Sequence, residues 1–341
     1  MVSKKAITSL IVVIVVIIIL GSFIIHSHLQ TKTPSNGQNT QQQTPPQVLP
    51  PPQVLRAVLR VNGYVYGGYW MRDTITDLPN FVSNIRYSIS NIGNANAVNV
   101  SVTIYINGKI YSSNILPLLA ISEVYYSSFS VSTVYDSSSN VLIQASCQDS
   151  IDSFTISVGS NLPRGTKDPD ILKLYITPKE ANVVSIKNAI LKNKFPLTSN
   201  WIALRDWVAS NIKYPPDDVD GDGEPDYDYI KHGEWEYYQL PKETLQLRTG
   251  DCEDYAILLV SLLRADGWSP NDVYVVFGKN DKGRGHAWVK IKIDLPLLGS
   301  VWCNIEPQVG VWGMIIGWDI WSLSGYEAVC YFNDLQFHTV G

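Results

Sequence analysis

Thr249-Gly250-Asp251-Cys252-Glu253-Asp254-Tyr255-Ala256 leads directly into the apolar run 257–263. The glycine break, the acidic residues and the apolar run together predict a helix that begins at Cys252. Free N–H groups and the positive dipole end of a first helical turn favour the thiolate of a cysteine placed there. The carboxylates of Asp251, Glu253 and Asp254 oppose that charge. Taken alone, the run therefore fits a reactive thiol or a buried structural cysteine.

Two later motifs carry the other residues that a reactive thiol needs. They are GHAWV at 285–289 and WCNIEP at 302–307. Side chains alternate between the two faces of a strand, so His286 shares a face with Trp288 in the first motif. In the second motif Asn304 and Glu306 share a face, whereas Cys303 points away. Cys303 is therefore not the nucleophile, and His286 becomes the candidate base.

The three motifs place a cysteine on a helix, a histidine on a strand and a carboxylate on the next strand. This order resembles the transglutaminase-like superfamily, which has a papain-like cysteine-enzyme core. GDCEDYA, GHAWV and W-x-x-I-E-P match its nucleophile, base and third-member motifs, and together they cover roughly residues 240–308. The resemblance implies an α+β transglutaminase-like catalytic domain, which we assign to residues 166–341.

The resemblance also implies a mechanism. Cys252 attacks a carboxamide or peptide carbonyl as the thiolate, while His286 accepts the thiol proton and then protonates the leaving amine. Glu306 orients the imidazole and stabilises its protonated form. The imidazole is expected to lower the pKa of the Cys252 thiol below its ordinary value, which would make this thiol the most reactive of the four in the chain.

The third member departs from the family pattern, because Glu306 stands where an Asp usually precedes the Pro. One extra methylene moves the carboxylate by about 1.5 Å on an unchanged backbone. Asn304 lies on the same face and is the alternative third member, as Asn is in papain-like enzymes. Gln239 matches an aromatic-Gln-x-Pro segment that lines the family's cleft. It is either an oxyanion donor or an ordinary loop residue.

Water or an amine can resolve the thioester, so the motifs allow either a peptidase or amidase or a cross-linking enzyme. The resemblance favours hydrolysis, because membrane-anchored microbial relatives are expected to be hydrolases and the core is not followed here by the β-domains of animal cross-linking enzymes. We therefore expect a protein or peptide substrate and no organic cofactor. Protein-glutamine cross-linking is one alternative, and a catalytically inactive surface binding module is another.

Residues 1–29 have the composition of a transmembrane signal anchor. Lys4 and Lys5 precede residues 6–25, which carry no charge and are long enough to span a bilayer. The run is longer than the apolar core of a cleaved signal peptide. The positive-inside rule leaves the N-terminus in the cytoplasm and the later domains extracytoplasmic, on a single-pass protein of the cell membrane. Residues 30–53, rich in Pro and Gln, predict an extended linker.

Residues 54–165 show period-two alternation in short runs separated by turn residues. About seven strands over this length predict an all-β immunoglobulin-like sandwich. Asn107-Gly108 between two such runs is a strong hairpin signal. The segment 91–100 resembles the turn and strand of CARDB-like sandwich domains. The domain shows no catalytic constellation, so we expect it to act as a spacer or to bind a partner or polymer.

An acidic loop in the catalytic domain has the spacing of the front half of a calcium site. Asp218, Asp220, Asp222 and Asp226 fall at ligand positions, with a glycine at the sharp turn. The bidentate Glu expected at the twelfth position is absent, because Tyr229 stands there. The loop is therefore a structural calcium site of a type other than the EF-hand, or a solvated acidic turn.

Charge and cysteine content limit the remaining possibilities. The chain has 26 Lys and Arg against 31 Asp and Glu, a formal net charge of −5. It has no basic stripe, so nucleic acid is not expected as a partner. Once Cys252 is set aside, Cys303 and Cys330 are the two remaining cysteines that share a domain. A disulfide between them is allowed but not deducible.

Overall fold

The computed structural model describes residues 52–221, 223, 225–295, 299–308 and 325–340. The predicted anchor at 1–29 and all but the end of the predicted linker at 30–53 lie outside the described residues. Asp222 of the predicted calcium loop lies outside them as well. Within the described part of the chain, no helix has the length and apolar character needed to cross a bilayer.

Seven antiparallel strands form the first domain as two packed sheets. They are β1 (Leu59–Arg72), β2 (Pro79–Asn91), β3 (Ala97–Ile106), β4 (Lys109–Leu119), β5 (Val124–Val134), β6 (Ser137–Ser146) and β7 (Ile151–Ser160). The strand order is β1-β2-β5 in one sheet and β4-β3-β6-β7 in the other. Ile85, Ile89 and Val141 are fully buried in the core between the sheets. The predicted immunoglobulin-like sandwich is confirmed.

The turn between β3 and β4 has the geometry that its sequence predicts. Asn107 and Gly108 both have positive φ, 50° and 78°. Two consecutive positive φ values are typical of a type I′ turn, whose twist matches that of paired strands. The Asn107 side chain also accepts a hydrogen bond from the Asn140 backbone N–H at 2.9 Å, which ties the turn to β6.

The second domain packs helices against one face of an antiparallel sheet. The helices are α1 (Pro169–Leu174), α2 (Ala181–Asn193), α3 (Asn200–Asn211), α4 (Tyr227–His232), α5 (Pro241–Leu247) and α6 (Cys252–Ala265). The strands are β8 (Val273–Lys279), β9 (Gly285–Leu295), β10 (Gly299–Ile305), β11 (Glu327–Phe332) and β12 (Phe337–Thr339). They are ordered β10-β9-β8-β11-β12. The expected α+β domain is therefore present.

Helix α6 is the centre of this domain. It contacts β8 and β9 on one side and α3 on the other. Leu258, Val260 and Leu262 are fully buried, as are most of its other apolar residues. Each such side chain contributes about 1.5–3 kcal/mol relative to an exposed position. This burial fixes the first turn of α6, and with it Cys252, against the strand that carries His286.

Polar contacts join the sandwich to the second domain. Arg164, at the end of the sandwich, bridges Asp136 and Glu243 at 2.7 and 2.8 Å. It also donates to the backbone carbonyl of Tyr238 at 2.8 Å. Since Glu243 lies on α5, the guanidinium connects both domains near the segment that precedes α6. Cys303 and Cys330 are not joined by a disulfide in this structure.

Candidate active site

Cys252 is the first residue of α6, as the sequence predicts. The turn before it is tight, because a Cβ on Gly250 would lie 2.7 Å from the Asp254 Cβ. The Asp254 carboxylate accepts a hydrogen bond from the Asp251 backbone N–H at 3.4 Å. The carboxylate thus satisfies one backbone donor at the start of the helix.

The Cys252 S–H donates a hydrogen bond to Glu253 Oε2 at 3.2 Å. The backbone N–H of Ala287 lies near the sulfur. Burial raises the pKa of the thiol well above its ordinary value, and the charges of Glu253 and Asp251 raise it further. The expectation of a lowered thiol pKa is therefore wrong for this structure, because burial and the adjacent carboxylates outweigh the helix terminus.

His286 lies on β9, next to Ala287. Its Nε2 lies 2.7 Å from Oε2 of Glu306, which directly follows β10. Two aromatic rings flank the imidazole: Trp288 at a centroid distance of 6.2 Å and Tyr326 at 5.6 Å. Glu306 is buried, so solvent screens the pair only weakly.

Asn304 does not contact His286 through a recorded hydrogen bond. Its Oδ1 accepts a hydrogen bond from Trp288 Nε1 at 3.1 Å. Asn304 therefore holds the indole that flanks the imidazole, while Glu306 holds the imidazole itself. Of the two alternatives for the third member, the geometry favours Glu306.

The side chain of Gln239 does not lie where an oxyanion donor would have to lie. Its side chain is fully buried, and its Nε2 donates to Asp254 Oδ2 and, at 3.1 Å, to the Tyr227 hydroxyl. Its backbone N–H donates to Asp254 Oδ1 at 2.7 Å. The amide nitrogen is thus occupied beneath the start of α6, and Gln239 is not among the residues that line the cavity. We assign Gln239 to positioning Asp254, and the oxyanion role is not supported.

A cavity of about 350 Å³ opens above the thiol. It is lined by residues from both sides of the proposed reaction centre, among them Lys167, Trp235, Glu236, Cys252, Phe277 and His286. The candidate nucleophile and base therefore line one cavity.

The predicted calcium loop brings three of its four acidic residues together. Carboxylate oxygens of Asp218, Asp220 and Asp226 lie within 4.8 Å of one another. Asp218 already accepts hydrogen bonds from the backbone N–H groups of Gly221 and Gly223 at 2.6 and 2.8 Å. Asp226 Oδ2 accepts from two further backbone N–H groups of the loop. Asp218 and Asp220 are exposed to solvent. Backbone N–H groups of the loop already donate hydrogen bonds to the carboxylates of Asp218 and Asp226.

A second group of carboxylates escaped the sequence analysis. Oxygens of Asp228, Asp251 and Glu253 also lie within 4.8 Å of one another, and all three residues are buried. Burial, together with the charge of Glu253, raises the pKa of Asp228 to about 8. The same two causes raise the pKa of Asp251 well above its usual range. Two of the three residues flank Cys252 in the sequence, but only the fold brings Asp228 to them.

Comparison with known proteins agrees with both domains. A family model described as a transglutaminase-like domain matches residues 182–298. A model described as CARDB matches residues 75–153. The chain carries a CARDB domain and a transglutaminase-like domain. The matched range of the transglutaminase-like domain contains Cys252 and His286 and ends before Glu306.

A curated relative is similar over about half of each protein. The "UPF0252 protein MJ1282" of Methanocaldococcus jannaschii is 30% identical over 202 residues, which cover 55% of this chain and 52% of the relative. The chain thus spans about half the length of the curated relative that it matches.

Two solved proteins are each similar to part of this chain. The CARDB domain of PF1109 from Pyrococcus furiosus is 14% identical, with a TM-score of 0.25, and the match covers 32% of this chain and 100% of that one. Calcium-bound LapG from Legionella pneumophila is 14% identical, with a TM-score of 0.30, over 51% of this chain and 82% of that one. The EGTA-treated form of LapG is also 14% identical, with a TM-score of 0.32, over 52% of this chain and 80% of that one.

Proposed function

We propose that the transglutaminase-like domain is a cysteine peptidase or amidase that works through a thioester on Cys252. The observation that carries the proposal is the arrangement across the cavity. Cys252 and His286 line the same cavity, and Nε2 of His286 lies 2.7 Å from Oε2 of Glu306. A nucleophile, a base and a group that orients the base are the parts that covalent acyl transfer requires.

The first half-reaction forms the acyl-enzyme. The Cys252 sulfur adds to the carbonyl carbon of the scissile bond, and its proton passes to His286. Since Glu306 occupies Nε2, Nδ1 is the ring nitrogen left to accept this proton. The tetrahedral intermediate then expels the amine, which takes the proton from His286. The product is a thioester between Cys252 and the acyl part of the substrate.

The second half-reaction resolves the thioester. His286 accepts a proton from water as the water oxygen adds to the thioester carbonyl, and the proton returns to the sulfur as the carboxylic acid leaves. Glu306 stabilises the imidazolium in both halves. Because the resting thiol has a raised pKa and donates to Glu253, we infer that deprotonation accompanies attack and that no ion pair is formed beforehand.

The test is mass spectrometry of peptides incubated with the full chain, with and without a primary amine. Hydrolysis gives products that gain the mass of water, whereas cross-linking gives products that carry the amine. Wild type should release hydrolysed products, and Cys252→Ala should release none. Cys303→Ala is the matched control, since Cys303 is buried on the other face of β10. An amine adduct as the main product would favour cross-linking, and no product with either reagent would favour a binding module.

The cellular setting is also a proposal. The uncharged run at 6–25 supports a single-pass anchor that leaves the catalytic domain extracytoplasmic, where it would meet protein or peptide substrates at the outer surface. The CARDB domain would then act as a spacer or bind a partner. Protease accessibility of the catalytic domain in intact cells tests this topology, and protection until lysis would contradict it.

A further inference from the structure

We infer that Asp228, Asp251 and Glu253 form a binding site for a divalent cation of the calcium class beside Cys252. This site is distinct from the cluster of Asp218, Asp220 and Asp226, which belongs to the calcium loop that the sequence predicts. Asp228 is the second residue of α4, Asp251 precedes α6, and Glu253 lies in its first turn. Two separate segments thus converge on one point.

The spacing of the three carboxylates fits a single ion. One oxygen from each residue lies within 4.8 Å of the other two. Oxygens that share a calcium ion, each about 2.4 Å away, cannot lie much further apart than about 4.8 Å. Carboxylates are the hard ligands that calcium and magnesium select. Calcium takes additional oxygens in flexible geometry, so water from the adjoining cavity can complete its coordination more readily than the strict octahedron of magnesium.

Two buried oxygens supply an independent observation. Asp228 is 4% exposed and Asp251 is 9% exposed, yet Oδ1 of each accepts no hydrogen bond within the described structure. A buried acceptor without a partner is costly, and a buried carboxylate more so. Both oxygens belong to residues of the three-carboxylate cluster, so both indicate that a cation would bind there.

No basic side chain supplies that partner among the described residues. The recorded ion pairs of lysine, arginine and histidine go to other carboxylates. Lys167 lines the same cavity but forms no ion pair with these carboxylates among the described residues. The three acidic groups therefore lie together without a paired counter-charge, which is unfavourable for like charges in a buried site. Protons shared between the carboxylates are the alternative way to relieve the repulsion, and a divalent cation would displace them.

The predicted calcium loop is the poorer candidate by the same criteria. Asp218 and Asp226 already accept hydrogen bonds from backbone N–H groups of the loop. Their carboxylates are solvated or satisfied without an ion. Asp220 is exposed and tests this loop without disturbing the buried site, so it offers a matched control.

The site can be measured without any substrate, so its test is independent of the proposed peptidase activity. The full chain is treated with a chelator, dialysed, and titrated with CaCl2 by calorimetry. Terbium luminescence is recorded in parallel, because Trp235 lines the same cavity and can sensitise a bound terbium ion. Wild type is compared with Asp228→Asn and with Asp220→Asn.

The inference predicts one cation bound with a rise in melting temperature. Asp228→Asn should weaken affinity by at least about tenfold, because one charged ligand of three is lost, whereas Asp220→Asn should bind as wild type does. Without calcium, Asp228→Asn should melt at or above the wild-type temperature, since a like charge is removed. Weaker calcium binding without a loss of calcium-free stability would identify Asp228 as a ligand, because a residue that only supports the fold would lower the stability when it is replaced.

Three outcomes would overturn the inference. The first is the absence of binding or of a melting shift at millimolar CaCl2. The second is loss of binding in Asp220→Asn with retention in Asp228→Asn, which would assign the ion to the predicted calcium loop. The third is an Asp228→Asn protein that is less stable than calcium-free wild type, with calcium affinity unchanged in its folded fraction.

Discussion

Glu306 holds His286 through a single hydrogen bond, from Nε2 to Oε2 at 2.7 Å. Sequence periodicity places Asn304 and Glu306 on the same strand face, and period two cannot choose between them. The choice depends on Trp288, because its indole N–H donates a hydrogen bond to Asn304. Glu306 is therefore the residue of the two that contacts the imidazole. The contact between Trp288 and Asn304 crosses from β9 to β10 and depends on a register that the motifs do not state.

Replacing Glu306 by Gln should lower kcat/KM by roughly 10²–10⁴-fold, because the imidazolium loses its charged partner and its fixed orientation. Asn304→Ala is the comparison, and its loss of activity should be smaller, since it frees Trp288 but leaves the contact between His286 and Glu306 intact. Steady-state cleavage of one peptide substrate measures both. A greater loss in Asn304→Ala would make the amide the third member.

Gln239 illustrates a different limit of the sequence. Its motif position implies a cleft residue, whereas its side chain is buried against Asp254 and Tyr227. Those partners come from helices whose approach is set by packing around α6. Three-dimensional convergence also explains why Asp228 could not be linked to Asp251 and Glu253 in advance.

At the scale of elements, the start of α6 is the most tightly specified part of the fold. Sequence alone predicts that helix, its first residue and its burial, because a glycine break precedes a long apolar run. It also predicts the β3–β4 turn from Asn107-Gly108. Elements with strong local signals are therefore recovered, whereas the order β10-β9-β8-β11-β12 depends on long-range pairing.

Gly250→Ala should displace the start of α6. An added Cβ would lie 2.7 Å from the Asp254 Cβ, closer than such atoms approach in folded proteins. We expect a lower melting temperature, with a loss of roughly 1–3 kcal/mol that is typical of overpacking, and a larger fractional loss of activity. Thermal unfolding and peptide turnover measure the two effects. A variant with wild-type stability and rate would show that the turn relaxes freely.

Tyr255 gives α6 a pH dependence that can be measured. Burial raises the pKa of its hydroxyl to about 12, and the hydroxyl donates to the Ile212 backbone carbonyl. The folded pKa lies above the ordinary value of about 10, so the folded state holds the proton more tightly. The stabilisation is full below about pH 10 and is lost as pH rises toward 12.

Tyr255→Phe should remove the contribution of this hydroxyl to the pH dependence of stability and cost about 0.5–1.5 kcal/mol at neutral pH through the lost hydrogen bond. Denaturant unfolding at a series of pH values from 8 to about 11.5 makes the comparison. Parallel curves for wild type and variant across this range would contradict the assignment.

At the scale of the whole molecule, Arg164 joins the two domains that the sequence delimits. It bridges Asp136 of the sandwich and Glu243 of α5 through a largely buried guanidinium. Removing one partner of such a pair leaves the others uncompensated, so the cost exceeds that of an exposed ion pair.

Arg164→Ala should therefore lower the melting temperature and make the domains unfold in two separate transitions. Calorimetry of the full chain detects the change. Lys173→Ala is the control, because its pair with Asp170 lies largely in solvent and should contribute little. A single transition at the wild-type temperature would mean that apolar contacts alone join the domains.

The most direct test of the central claim is intact-protein mass spectrometry of the full chain, quenched in acid within one turnover of a peptide substrate. A thioester on Cys252 adds the mass of the acyl fragment, and His286→Ala should slow its appearance while Cys252→Ala should abolish it. We predict this transient adduct in wild type, mapped by digestion to Cys252. Cleavage that proceeds in Cys252→Ala, or an adduct on Cys147, Cys303 or Cys330, would contradict it.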